Sequence, residues 1–244
     1  MDERGGEIPG VVLPFDWRAF VRKNVLMWRR EPLEAKPRVL GQMFFRLGLW
    51  AAGQSFWALD EVVAPGWQEA RFRGPLFILG HQRSGTTFLH RLLAGDDQYF
   101  RALTLLEMLF PAVSFSKVVK RFATREERPL RLIRRGLSRL QEAVFSPMDD
   151  IHRLRFDEIE EDEFVLWGIY RSAMCVNDAP STTQWWELDE MRHFHGWSAE
   201  RQRKTLGFYA AALLKKAAQE RGYGSHGEND EEKGGAVPWI VSKN

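Results

Sequence analysis

Residues 80–89, GHQRSGTTFL, follow the apolar run PLFIL and bring Gly80, Arg83, Ser84, Gly85, Thr86 and Thr87 into one short segment. An apolar strand, a glycine-bearing turn and a helix N-terminus make an anion-binding arrangement. Successive backbone N–H groups point into the turn, and the helix dipole adds positive potential. Gly80 and Gly85 let the backbone turn and approach a ligand closely. The hydroxyls of Thr86 and Thr87 can donate to phosphate oxygens, and Arg83 can add a charge-assisted fork. The two glycines have the GxxxxG spacing of nucleotide-triphosphate loops, but Thr86 stands where those loops carry a lysine. That lysine reaches the β- and γ-phosphates. Its replacement, with a cation at Arg83 instead, points to one phosphate group rather than to ATP or GTP.

Other residues could do chemistry nearby. Glu107 is a lone acid in LTLLEMLF, where a charge among apolar residues is costly unless it is paired or functional. Glu160, Glu161, Asp162 and Glu163 form an acidic run that either lines a site or only starts a helix. Lys243 ends an apolar strand, where it either faces a ligand or reaches solvent. His81 and His90 flank the loop and can support packing or a nucleotide; neither is assigned as a base. His193 and His195 alternate without a third ligand nearby, so no metal is expected.

These residues need elements to hold them. Asp16 can cap a helix to about Arg30, with Trp17, Phe20, Val21 and Trp28 on one face. A second, mostly apolar helical stretch follows Pro37. Arg46 and Gln54 interrupt it, and its apolar runs are too short for a convincing membrane span. The basic residues around it (Arg18, Arg22, Lys23, Arg29, Arg30, Lys36 and Arg38) allow either packing on the domain or an interfacial anchor at residues 16–60. PLFILG reads as a buried parallel strand, followed by a helix to Leu93 and an irregular stretch over 98–116. Residues 117–139 hold nine Lys or Arg against two Glu, a local net of +7. Leu130, Ile133, Leu137, Leu140 and Val144 recur there at helical spacing. A helix is expected from Phe164 to Cys175. Another, capped by Ser198, has a stripe of Leu206, Ala210, Leu213, Leu214 and Ala217 and stops at Gly222. Residues 224–236 read as a mobile polar insertion, and VPWIVSK as a second buried strand.

The expected fold is therefore α/β: a P-loop-type parallel sheet with helical layers, helix-rich, after an N-terminal helical segment at 1–70. The domain itself spans 71–244. Only two strands are legible, so the sheet is expected to be incomplete and the chain to be an N-terminal fragment.

R-S-G-T-T behind an apolar strand and before a Leu-rich helix resembles the 5′-phosphosulfate-binding loop of sulfotransferases. The wider stretch FILGHQRSGTTFLHRLLA is similar to a broad sulfotransferase family of bacteria and microbial eukaryotes, as is EEDEFVL. WIVSKN resembles the lysine-bearing strand of these enzymes and of tyrosylprotein sulfotransferases. The resemblance runs from Leu76 to Asn244. It implies a transferase moving a sulfuryl group from 3′-phosphoadenosine 5′-phosphosulfate (PAPS) to a hydroxyl or amine, with no metal. It implies that Arg83, Ser84, Gly85, Thr86 and Thr87 hold the 5′-phosphate. Lys243 would contact the bridging oxygen, and a glutamate after the loop helix, Glu107 or one of 160–163, would act as base. The 3′-phosphate site would lie beyond Asn244.

With 244 residues, 44% hydrophobic and 28% charged, the chain can bury a substantial core. Its net charge of +2 argues neither for nor against nucleic acid; none is expected as partner. The acceptor is a small molecule, carbohydrate, lipid or protein. One cysteine and an N-terminus without an apolar h-region fit a cytoplasmic protein, with membrane contact at most peripheral. Two rival readings stand at this point: a kinase-like phosphotransferase on the same loop, and a non-catalytic, membrane-associated protein that retains it.

Overall fold

The structure, a computed structural model, describes residues 12–81, 84–124, 135–136, 138–139, 141–142, 154–177, 193–220 and 238–243. Asp16 opens helix α1 (Trp17–Arg30) as its sequence predicts, accepting from the Ala19 N–H at 3.0 Å. Pro32 and a 3₁₀ turn separate α1 from the long α2 (Lys36–Val63), which begins with Pro37 in its first turn. Neither helix stands apart. Phe15, Ala19 and Phe20 share a cluster with Tyr170 and Cys175, and Arg201 pairs with Asp16 at 2.8 Å. Arg46, read from the sequence as an interruption of α2, is buried. Its guanidinium lies 3.4 Å from the centre of the Trp167 ring and donates to the Trp167 carbonyl at 2.7 Å. Among the described residues no helix is long and apolar enough to cross a membrane.

Among the described residues three parallel strands form the sheet, in the order β1-β3-β2: β1 (Pro75–Ile78), β2 (Phe100–Arg101) and β3 (Trp239–Lys243). The expectation of two strands thus misses β2, which spans only two residues and has no apolar run to mark it. Helix α3 (Thr86–Ala94) follows the loop. The stretch expected to be irregular contains, besides β2, two helices, α4 (Leu105–Leu109) and α5 (Val113–Thr124). The start of α4 is legible after the fact: Thr104-Leu-Leu-Glu107 is a capping box, with both reciprocal bonds made.

The helix expected over Phe164–Cys175 is two: α6 (Glu163–Gly168) and α7 (Met174–Asn177). The break falls at Tyr170, whose φ of 62° leaves the helical region. Tertiary packing holds it there, because its ring is buried against Phe15 and Phe20. The last helix, α8 (Ala199–Glu220), begins at Ser198 as expected, but its stripe is turned. Leu213 and Ala217 are buried, whereas Leu206 and Ala210 are exposed along a groove beside the β1 edge. The face that packs inward carries Phe208, Ala211, Ala212, Lys215 and Ala218. The apolar stripe over 130–144, Gly222 and the insertion at 224–236 lie outside the described residues.

A charged pair that the sequence does not flag ties α2, α5 and α8 together. Asp60 and Lys215 are both fully buried and meet at 2.7 Å. Asp60 also accepts from the Val113 and Ser114 N–H groups at 2.9 and 2.7 Å, so a carboxylate from α2 caps the N-terminus of α5. The Lys215 ammonium lies 3.8 Å from the centre of the Trp57 ring and 4.5 Å from that of Trp67. Burial pulls the pKa of Lys215 down, while Asp60 opposes the shift. A pair so enclosed is stable only with its hydrogen bonds complete, and here two backbone donors and two aromatic faces complete them.

Candidate active site

β1 and β3 run parallel in a register that sets Ile78 opposite Lys243. Both strands therefore finish at one sheet edge, where ligands of open α/β sheets bind. The chain leaves β1 through Gly80 and enters α3 at Gly85. Each glycine is required for a different reason. A Cβ on Gly80 would sit 2.7 Å from the Thr86 methyl and 2.8 Å from Ser84 Oγ, so a side chain there would displace both loop side chains. Gly85 has φ 83°, a left-handed conformation that favours glycine. The turn is closed by Ser84, whose N–H and hydroxyl both donate to the His81 carbonyl, at 3.2 and 2.6 Å. With glycine at its N-cap, α3 starts without a side-chain cap, leaving its positive end toward solvent. Arg83 lies outside the described residues.

Lys243 reaches this helix start. It is 6% exposed, and its ammonium donates to Thr87 Oγ1 at 2.8 Å and to Glu161 Oε1 at 2.5 Å. The strand beneath it is held from both sides. His90 of α3 is buried with Nε2 3.4 Å from the Val241 carbonyl, and burial lowers its pKa. On the other side the Asp162 N–H donates to the Lys243 carbonyl at 3.2 Å.

The four acids of the run 160–163 go separate ways. Glu160 lies 3.7 Å from Arg91. Glu161 pairs with Lys243. Asp162 accepts from the Tyr209 hydroxyl at 2.7 Å. Glu163 accepts from Ser172 Oγ and the Met174 N–H, at 2.6 and 3.2 Å. The segment is threaded beside the loop helix and α4: Arg91 of α3 pairs with Glu158 at 3.2 Å, and Ile159 bridges to Thr104.

Glu107 is fixed on α4. Oε2 accepts from the Thr104 N–H at 3.0 Å, and Oε1 pairs with Lys216 at 2.8 Å. Among the described residues none of its hydrogen bonds or ion pairs joins residues 84–87 or Lys243. It borders a cavity of about 220 Å³ whose apolar wall is Leu106, Phe115, Val119 and Phe156. The structure thus brings Lys243, Thr87 and Glu161 into direct contact and gives Glu107 a cavity of its own. Tyr209 and Ser242, absent from the sequence-derived candidates, complete the support of the strand end. A tyrosine on a helix and a serine inside a strand carry no local signal of that role.

A family model described as the sulfotransferase family matches residues 75–217. Among solved structures, the chain is similar to the crystal structure of sulfotransferase STF1 from Mycobacterium tuberculosis H37Rv, with a TM-score of 0.52 and 16% identity over 93% of this chain. The chain spans 54% of that structure's length. No curated protein matches it.

Proposed function

The chain belongs to the sulfotransferase family, and from that premise we propose that its loop holds the 5′-phosphosulfate end of PAPS for transfer to an acceptor hydroxyl or amine. The observation that carries the reading is the 2.8 Å contact of the Lys243 ammonium with Thr87 at the start of α3. It sets a cation beside an uncapped helix N-terminus and a turn in which a side chain at position 80 would crowd Ser84 and Thr86. A narrow cradle with one strand-end cation suits a single phosphate carrying a departing group.

In the proposed step the acceptor oxygen or nitrogen attacks sulfur in line, and the bond from sulfur to the phosphate oxygen breaks. Arg83, Ser84, Gly85, Thr86 and Thr87 hold the 5′-phosphate. Lys243 offsets charge on the departing oxygen. Glu107 takes the acceptor's proton, from an acceptor lodged against the cavity it borders. Glu161 serves as the counter-ion that keeps Lys243 in place. A specific observation favours a second assignment of the base, namely Glu161, because it is the acid that touches Lys243.

Calorimetry with adenosine 3′,5′-bisphosphate (PAP) tests the donor. PAP is expected to bind without magnesium, and ATP–magnesium is expected not to; a magnesium-dependent preference for ATP would point to the kinase-like alternative. Within that experiment Arg83→Ala should weaken PAP binding more than Thr87→Ala. A charge-assisted bond contributes roughly 1.5–3 kcal/mol, a neutral one about 1.

Residues 16–60 carry a second proposal, contact with an anionic membrane surface. Val21, Val25, Trp28, Leu40, Phe44 and Phe45 are exposed on α1 and α2 among basic residues such as Arg18, Arg29 and Arg38. Flotation with phosphatidylserine vesicles should recover the protein at low salt and lose it as ionic strength rises. Absence of flotation at low salt would restrict the two helices to packing.

A further inference from the structure

Two consecutive acids straddle the end of β3. Glu161 meets the Lys243 ammonium. Asp162 turns to the other face of the strand, where Ser242 points, since neighbouring strand residues face opposite ways. Asp162 occupies the N-cap position of α6, where an aspartate ordinarily accepts from its own helix. Here its side chain makes no cap bond. Its Oδ2 accepts instead from the Tyr209 hydroxyl at 2.7 Å, and that hydroxyl lies 2.7 Å from Ser242 Oγ. With the carboxyl ionised, the chain runs from Ser242 to Tyr209 to Asp162, each hydroxyl donating onward. The Asp162 N–H meanwhile holds the Lys243 carbonyl at 3.2 Å.

This carboxyl is expensive to keep. Asp162 is 1% exposed, its Oδ1 has no hydrogen-bond partner, and burial pushes its pKa up to about 6, opposed first by the Tyr209 hydrogen bond and less by the polar groups of Ser242 and the Lys243 backbone nearby. Forgoing the cap while accepting that cost ties the residue to β3 rather than to α6. We propose that Asp162 is a positioning residue for Lys243: through Tyr209, Ser242 and its own N–H it fixes the end of β3 so that the lysine ammonium stays on Thr87. The proposal rests on the reading of Lys243 as the cation that faces the donor.

Two measurements on the full chain test it and separate it from that reading. The first is the rate at which a small amine-reactive reagent modifies Lys243, read by mass spectrometry against the exposed Lys204 of α8. Asp162→Ala and Tyr209→Phe should raise that rate about 5–30-fold, the factor that one or two lost hydrogen bonds would give. Asp162→Asn, which still accepts from Tyr209, should stay near the parent. An unchanged Lys243 rate in Tyr209→Phe, which removes a single hydroxyl and decides alone if Asp162→Ala fails to fold, overturns the proposal. The second is a double-mutant cycle on PAP affinity. Asp162→Ala should weaken binding in the parent and add nothing in a Lys243→Ala background. Fully additive losses would make Asp162 a general stability residue and overturn the positioning role. A parent that binds no PAP would overturn the PAPS reading instead, with the Lys243 modification rates still deciding the positioning.

Discussion

Glu107→Gln is expected to lower turnover by roughly 10²–10⁴-fold if the carboxylate is the general base, with PAP affinity little changed. The readout is PAP released from PAPS. The substitution is well suited to the question because glutamine also serves at the N3 position of a capping box, so the Thr104 bonds that start α4 can survive. What it removes is the proton acceptor and the charge facing Lys216. That pair is nearly buried, at 8% and 15% side-chain exposure, so a thermal melt must accompany the kinetics to separate lost chemistry from lost stability. Glu161→Gln is the matched control. It keeps the shape of the partner of Lys243 but not its charge, and its effect on turnover should be the smaller. The reverse order would transfer the base role to Glu161.

Lys243→Ala should lower turnover by roughly 10²–10³-fold, the cost of removing one preorganised donor aimed at developing charge. The lysine is buried and held on Thr87 before any donor arrives, so its orientation needs no reorganisation during the reaction. Thr87→Ala removes one acceptor of the Lys243 ammonium but leaves Glu161 as the other, so it should lower turnover less than Lys243→Ala. Near-normal PAP release from the Lys243→Ala protein would leave the strand-end lysine with a structural role only. Replacement by arginine should restore little, since a planar guanidinium does not match a compact ammonium in an enclosed position.

Much of the loop was legible because its signals are local. Gly80 and Gly85 answer to sterics and backbone conformation within a few residues, and the apolar run ahead of them reads as a strand; that run is less buried than expected, with Phe77 and Leu79 exposed. The N-caps at Asp16 and Ser198 are likewise local chemistry. The Thr104–Glu107 capping box was equally local. Its glutamate is ambiguous in sequence, because a lone acid in an apolar segment fits a helix cap and a site acid equally well.

The sequence by itself determined the order of loop, acidic run and terminal lysine strand, and with that order the family. Tertiary structure alone decided which acid meets which cation. Four adjacent carboxylates have the same local propensities, yet Glu161 reaches Lys243 and Asp162 reaches Tyr209, because β3 and α8 approach the segment from different sides. The same holds for Asp60 and Lys215, which lie far apart in the chain and become a core pair only where α2 and α8 pack together. It holds too for Tyr170, whose left-handed backbone is held by aromatic neighbours from α1 and its leading segment. Periodicity says which face of a helix is apolar. It does not say which neighbour will cover that face, and the turned stripe of α8 follows from that difference.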